Sequence, residues 1–208
     1  MSAQILLATA NPHKVKEIRA LLETAKVPAE ALSLLDFPHL VTPEETAETM
    51  EKNALAKAKA AANETGLIAL ADDSGLEVEA LGGEPGVHSK RFAGENAEDP
   101  ARCAKLLSLL EGVPEEKRQA RFRCCIAIAA LGRAPIVVEG ICAGKIALSP
   151  AGEHGFGYDP VFIPEGMNCT LAQLPLEEKN RISHRSRALA AALPVLKRLL
   201  QEITADER

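Results

Sequence analysis

Aromatic side chains are scarce in this sequence: they make up 3% of 208 residues, with no tryptophan, one tyrosine and five phenylalanines. A ring inside a polar, glycine-rich stretch is therefore informative. A basic excess is also missing. The formal net charge of −5 argues against a protein that tracks a nucleic-acid polymer, because such binding rests on a dominant basic surface. Small phosphate ligands stay open, since they need only a local cluster of donors. No apolar run approaches the roughly 20 residues that span a bilayer. The first residues read as a short apolar strand followed by charges, not as a signal peptide. A soluble, cytoplasmic protein is expected. Paired cysteines are absent too: Cys103, Cys124, Cys125, Cys142 and Cys169 are odd in number and form no C-x-x-C motif. They are expected to be small apolar fillers of a reduced protein rather than zinc ligands.

What is present is ample apolar surface, 47% of residues, enough for one domain of residues 1–208 or two lobes sharing a core. Gln4 to Thr9 reads as a buried strand, followed by a helix with Val15, Ile18, Leu21 and Leu22 on one face. A strand near Ala31 to Leu34 precedes a proline-punctuated loop. A long alanine-rich helix then runs to about Glu64, with Met50, Ala54, Leu55 and Ala58 inward and Gly66 as its cap. Leu67–Asp72 and Leu76–Leu81 read as two strands. Asp99 and Pro100 open a helix that Gly112 closes. Arg121–Leu131 and Ile136–Leu148 read as a hairpin. Val161–Ile163 is a short strand, and a last helix spans Ser183 to Ile203, where Pro194 predicts a kink or a split. The alternation gives an α/β fold, a mixed central sheet flanked by helices.

Five segments carry polar chemistry. Thr9-Ala10-Asn11-Pro12-His13-Lys14 joins a strand to a helix and offers amides, a hydroxyl and a lysine to a phosphate chain; an ordinary helix cap is the alternative. Ala71-Asp72-Asp73-Ser74-Gly75 ends a buried strand, where an acid suits a magnesium ligand or a base; a plain turn is the alternative. Thr42 with Glu45 forms a formal capping box, or Glu45 supplies a second metal carboxylate. Phe156-Gly157-Tyr158-Asp159 places rings beside an acid, which suits a flat heterocycle; a connector loop is the alternative. Lys179, Ser183, His184 and Arg185 gather around the start of the last helix, as ligand donors or as a solvated helix start.

Taken together and in this order, these segments resemble the inosine/xanthosine triphosphate pyrophosphatase family, over about Ile5 to Leu189. The matching residues include Thr9-Ala10-Asn11…Lys14, Glu44-Glu45-Thr46, Asn53-Ala54, Asp72-Asp73-Ser74-Gly75, Leu81-Gly82-Gly83…Pro85-Gly86, Phe156-Gly157-Tyr158-Asp159-Pro160 and Ser183-His184-Arg185. The resemblance implies two lobes around a nucleotide-binding cleft, a homodimer and a magnesium requirement. It implies Asp73 as catalytic base and metal residue, with Glu45 as its partner at the metal. Thr9, Ala10, Asn11, Pro12, His13 and Lys14 would hold the triphosphate with Ser74 beside them. Phe156, Gly157, Tyr158 and Asp159 would stack on and read the base, together with Lys179, His184 and Arg185. The implied reaction cleaves ITP, dITP or XTP to monophosphate and pyrophosphate. Ala47, Met50, Lys52 and His88 depart from the family pattern. The rival readings are a pyrophosphatase of the septum-formation-protein type, which lacks the Phe-Gly-Tyr-Asp and Ser-His-Arg signatures, and a catalytically silent nucleotide-binding module.

Overall fold

The structure, a computed structural model, describes residues 3–206. In chain order the elements are β1 (Ala3–Leu7), α1 (Pro12–Thr24), β2 (Ala29–Ser33), α2 (Met50–Thr65), β3 (Ile68–Val78) and β4 (Pro85–Gly86). Then follow α3 (Asp99–Leu109), β5 (Gln119–Ala129), β6 (Ile136–Ile146), β7 (Phe162–Pro164), α4 (Leu176–Ile182) and α5 (His184–Asp206). The strands form one sheet in the order β2-β1-β3-β5-β6-β7, with β4 on β3. β1 runs parallel to β2 and β3, while β3–β4 and β6–β7 are antiparallel. The mixed α/β architecture expected from the sequence is what forms.

The chain divides into two compact units: residues 1–73, 124–140 and 185–208, and residues 74–123 and 141–184. In the first, α1 and α5 pack their apolar stripes on the strands. Ile5, Leu7, Ile68, Leu70 and Ile126 meet Val15, Ile18, Leu22, Leu189 and Leu196, all buried. The Val15–Ile18–Leu22 spacing puts these residues on one helix face. The second unit closes around Leu76, Leu106, Leu110, Phe122, Tyr158, Phe162 and Leu171. Cys124 lies in the first core, and Cys103 and Cys142 in the second; Cys103 is more than a filler, since its Sγ donates to Gly157 O at 3.3 Å.

Several expectations are corrected. Leu67–Asp72 and Leu76–Leu81 are not separate strands. β3 runs through Asp72-Asp73-Ser74-Gly75 as one strand of 11 residues. The Thr42–Glu45 capping box does not form. α2 begins at Met50, and Thr49 caps it by accepting from Lys52 N at 3.3 Å. Pro194 lies inside α5, which is not split. Leu176–Ile182 forms an additional short helix. Gly66 does close α2, with a left-handed φ of 73° that only glycine adopts without strain.

Candidate active site

In the first unit, β3 carries two adjacent acids, and strand alternation sends their side chains to opposite faces. Asp72 is 2% exposed. Its Oδ2 meets Lys14 Nζ at 3.0 Å and Arg185 Nη2 at 3.1 Å. Arg185 in turn donates to Glu17 Oε2 at 2.5 Å. Burial pushes the Asp72 carboxyl up, but Lys14, Arg185 and Lys57 more than reverse this and hold it far below the usual carboxylate range. Asp72 is thus a fixed anion that anchors two cations.

Asp73 turns toward α2 instead. Asn53 Nδ2 donates to Asp73 Oδ2 at 3.0 Å, while Ala47 N donates to Asn53 Oδ1 at 3.0 Å. Because Ala47 contributes only its backbone amide here, an alanine serves where the family pattern has glycine. Lys57 Nζ donates to Glu45 Oε1 at 2.5 Å and to Asp72 O at 2.7 Å, and lies 3.9 Å from Asp73 Oδ1. Burial pulls the Lys57 ammonium down, yet Asp72, Glu45 and Asp73 outweigh it and raise its pKa, so it stays charged. For Asp73 the balance goes the other way. Burial, joined by the Glu45 charge, raises its carboxyl despite Lys57 and Asn53.

These oxygens suit a hard divalent cation. Glu45, Asp73 and the Asp72 carbonyl already gather around one positive charge, that of Lys57. Magnesium binds through one or two carboxylates plus substrate phosphates. Among the described residues, no three or more His, Cys, Asp or Glu side chains form a self-sufficient metal cage. The donor set fits a metal whose shell is completed by substrate and water.

The Thr9–Lys14 segment lies in the same unit. Asn11 Oδ1 accepts from His13 N at 2.9 Å and Lys14 N at 3.3 Å, and Thr9 Oγ1 accepts from Asn11 N at 3.2 Å. The cap forms as the alternative reading foresaw. Ala10, Pro12 and His13 are exposed above it. Glu44 is exposed, whereas Glu45 is the acid that reaches Lys57.

In the second unit, Phe156 is half-buried, and Lys179 Nζ stands 4.9 Å from its ring centroid. The Asp159 carboxylate, 2% exposed, accepts from Phe156 N at 2.9 Å and Lys179 Nζ at 2.5 Å. Some assignments change here. Tyr158 is not a stacking ring: it is core, 3% exposed, with its hydroxyl donated to Ser89 O at 2.8 Å. Asp159, expected to read the base edge, braces the loop and Lys179. His184 is buried and stacks on Phe122, centroids 4.6 Å apart and planes 13° from parallel. Arg185 belongs to the first unit, where its guanidinium is committed to Asp72 and Glu17. Ser74 follows Asp73 on β3 and is half-buried.

Sequence reasoning missed Lys57, Asn53 as a hydrogen-bond partner, and Glu17. A signal existed. Lys57 falls three residues after Ala54 and seven after Met50, on the inward stripe of α2, and Glu17 is adjacent to Ile18 on that of α1. A charge on an apolar stripe requires a buried partner.

Comparison with known proteins gives one family. The model of the Ham1 family matches residues 5–195. The dITP/XTP pyrophosphatase of Geobacter sulfurreducens is 53% identical over 90% of this chain and 93% of its own. That of Bacillus subtilis is 46% identical over 89% and 93%. Among solved structures, a HAM1 protein from Coxiella burnetii superposes with a TM-score of 0.80 at 40% identity, covering 98% of this chain and 99% of its own. A nucleoside-triphosphatase/dITP/XTP pyrophosphatase from Mycobacterium abscessus gives 0.73 at 46% identity, over 92% and 99%.

Proposed function

Because the chain belongs to the Ham1 family, we propose that it hydrolyses non-standard purine nucleoside triphosphates, ITP, dITP and XTP, to the monophosphate and pyrophosphate. It is a hydrolase of nucleoside triphosphate anhydride bonds. The observation that carries the residue assignment is the Asp73 carboxylate, fixed by Asn53 and set beside Lys57 and Glu45.

Water attacks the α-phosphorus, the bond to the α,β-bridging oxygen breaks, and pyrophosphate leaves. Asp73 takes the proton from that water. A triphosphate repels an incoming anion, so positive charge must be in place first. Lys14 and Lys57 supply it, and Asp72 holds Lys14 at the start of α1. Glu45 and Asp73 would hold magnesium, which when bound adds charge neutralisation at the phosphates. Phe156 stacks on the base, and Asp159 holds Lys179 against the Phe156 ring.

Magnesium, a cytoplasmic setting and a homodimer are parts of this proposal. The oxygen donor set supports the first, the family resemblance supports the homodimer, and the cytoplasmic setting rests on the sequence reading alone. No helix among the described residues is long and apolar enough to cross a membrane. The test is to incubate ITP with the purified chain, with and without magnesium, and to separate the phosphate products. Magnesium-dependent pyrophosphate supports the reading; orthophosphate as the sole product counts against it.

A further inference from the structure

Phe156 sits between two glycines with positive φ, Gly155 at 75° and Gly157 at 66°. Glycines on both sides give the loop backbone wide conformational choice, so the ring is only as well oriented as whatever grips the loop from outside. Asp159 holds the Phe156 amide, and α3 adds a second grip on the neighbouring residue. Asp99 Oδ2 accepts from Gly157 N at 2.6 Å, and one helical turn later Cys103 Sγ donates to Gly157 O at 3.3 Å. Positions i and i+4 lie on one helix face, so a single face of α3 holds both polar groups of this residue.

The grip is itself braced. Arg102 forms an ion pair with the other oxygen of Asp99 and donates to Ala97 O at 2.5 Å and Lys90 O at 3.1 Å. Burial pushes the Cys103 thiol up to about 11, so it stays an S–H donor at neutral pH.

From this geometry we infer that Asp99, assisted by Cys103, is a positioning residue for base recognition: it fixes the Gly157 backbone and thereby the orientation of Phe156. The inference rests on Phe156 being the stacking residue. Neither Asp99 nor Cys103 touches the nucleotide. Their effect belongs in substrate affinity rather than in the chemical step.

The test compares Asp99→Ala and Asp99→Asn with the wild-type chain, by ITP kinetics with magnesium and by near-ultraviolet circular dichroism. Tyr158 is the only tyrosine and there is no tryptophan, so that spectrum reports directly on this loop. Asp99→Ala is expected to raise KM about tenfold, in line with loss of a charge-assisted hydrogen bond, with kcat within about threefold and an altered tyrosine signal. Asp99→Asn keeps an acceptor for Gly157 N–H and should recover most of the KM. Should Asp99→Ala not fold, Asp99→Ser, whose shorter side chain cannot span to Gly157, is measured against the same outcomes. A lowered melting temperature with wild-type KM and tyrosine signal makes Asp99 a plain helix-start residue and overturns the inference. So does an Asp99→Asn variant as impaired as Asp99→Ala. A wild-type chain that releases no pyrophosphate from any nucleotide removes the functional reading and this inference with it, whereas an active wild type beside an unaffected Asp99→Ala removes this inference alone.

Discussion

Asn53 donates its amide to Asp73 across 3.0 Å in a buried setting. This bond leaves Asp73 Oδ1 facing the Lys57 ammonium at 3.9 Å, with Glu45 on the same lysine. A carboxylate kept in place by one neutral donor, and made more basic by burial and a neighbouring acid, is suited to taking a proton from water.

This placement has a cost in stability, which gives the first prediction. Asp73 has a raised carboxyl, so its charged form is disfavoured in the fold, and its contribution turns unfavourable as pH rises past the ordinary aspartate value. Asp73→Asn should therefore lose turnover by several orders of magnitude while melting at or above the wild-type temperature at neutral pH. Calorimetry beside an activity assay checks both. A variant with wild-type turnover removes Asp73 from the chemistry.

Asp72 has the opposite sign. Its carboxyl is depressed, so its stabilisation is fully present above the ordinary aspartate pKa and is lost as pH falls through the lower folded value. Asp72→Ala strands Lys14, leaves Arg185 to Glu17, and should cost about 3–5 kcal/mol at neutral pH. In denaturant titrations the gap to wild type should narrow in acid. A constant gap down to the acid limit would mean that packing, not charge, is what the variant loses.

Lys57 offers a test of the acid cluster. Lys57→Met leaves Glu45 and Asp73 without their shared cation and should lower kcat by about 10²–10³ at saturating magnesium, the scale seen for removing a preorganised electrostatic group. Steady-state kinetics at several magnesium concentrations decides. Unchanged kcat at every concentration confines Lys57 to folding.

Phe156 tests the base. Alanine substitution at a stacking ring costs about 1–3 kcal/mol per base. Phe156→Ala should raise the KM for ITP about tenfold or more, leaving the magnesium requirement as it was. A KM unchanged for ITP and XTP would move base recognition elsewhere.

The sequence displayed some of this plainly. Val15, Ile18 and Leu22 marked the buried face of α1, and Gly66 marked the end of α2, because periodicity and glycine's conformational freedom are local properties. The Asp72-Asp73-Ser74-Gly75 stretch was misread as a strand end, since its composition is that of a turn. It continues as strand because Lys14, Arg185, Asn53 and Lys57, all distant in sequence, partner the two acids. Local composition cannot show partners of that kind. Tyr158 was misassigned for a related reason: a ring in a glycine-rich loop looks available to a ligand until its hydroxyl is found on Ser89 O inside the core. Arg185 reads as a ligand donor beside His184 in sequence, but its guanidinium lies on Asp72 and Glu17, partners more than a hundred residues away.

Selectivity should follow hydrogen-bond polarity. A hydrogen-bond donor at the base edge pairs with the 6-oxo group of hypoxanthine or xanthine and opposes the 6-amino group of adenine; each unpaired buried group costs about 1–3 kcal/mol. ITP, dITP and XTP should outpace ATP by kcat/KM in a nucleotide panel, and equal turnover of ATP would remove this basis for discrimination.

The site of water attack is the most direct test of the central claim. Hydrolysis of ITP in heavy-oxygen water, followed by mass spectrometry of both products, should place the label in the monophosphate, as attack at the α-phosphorus requires. Label in the pyrophosphate, or in released orthophosphate, would contradict the account.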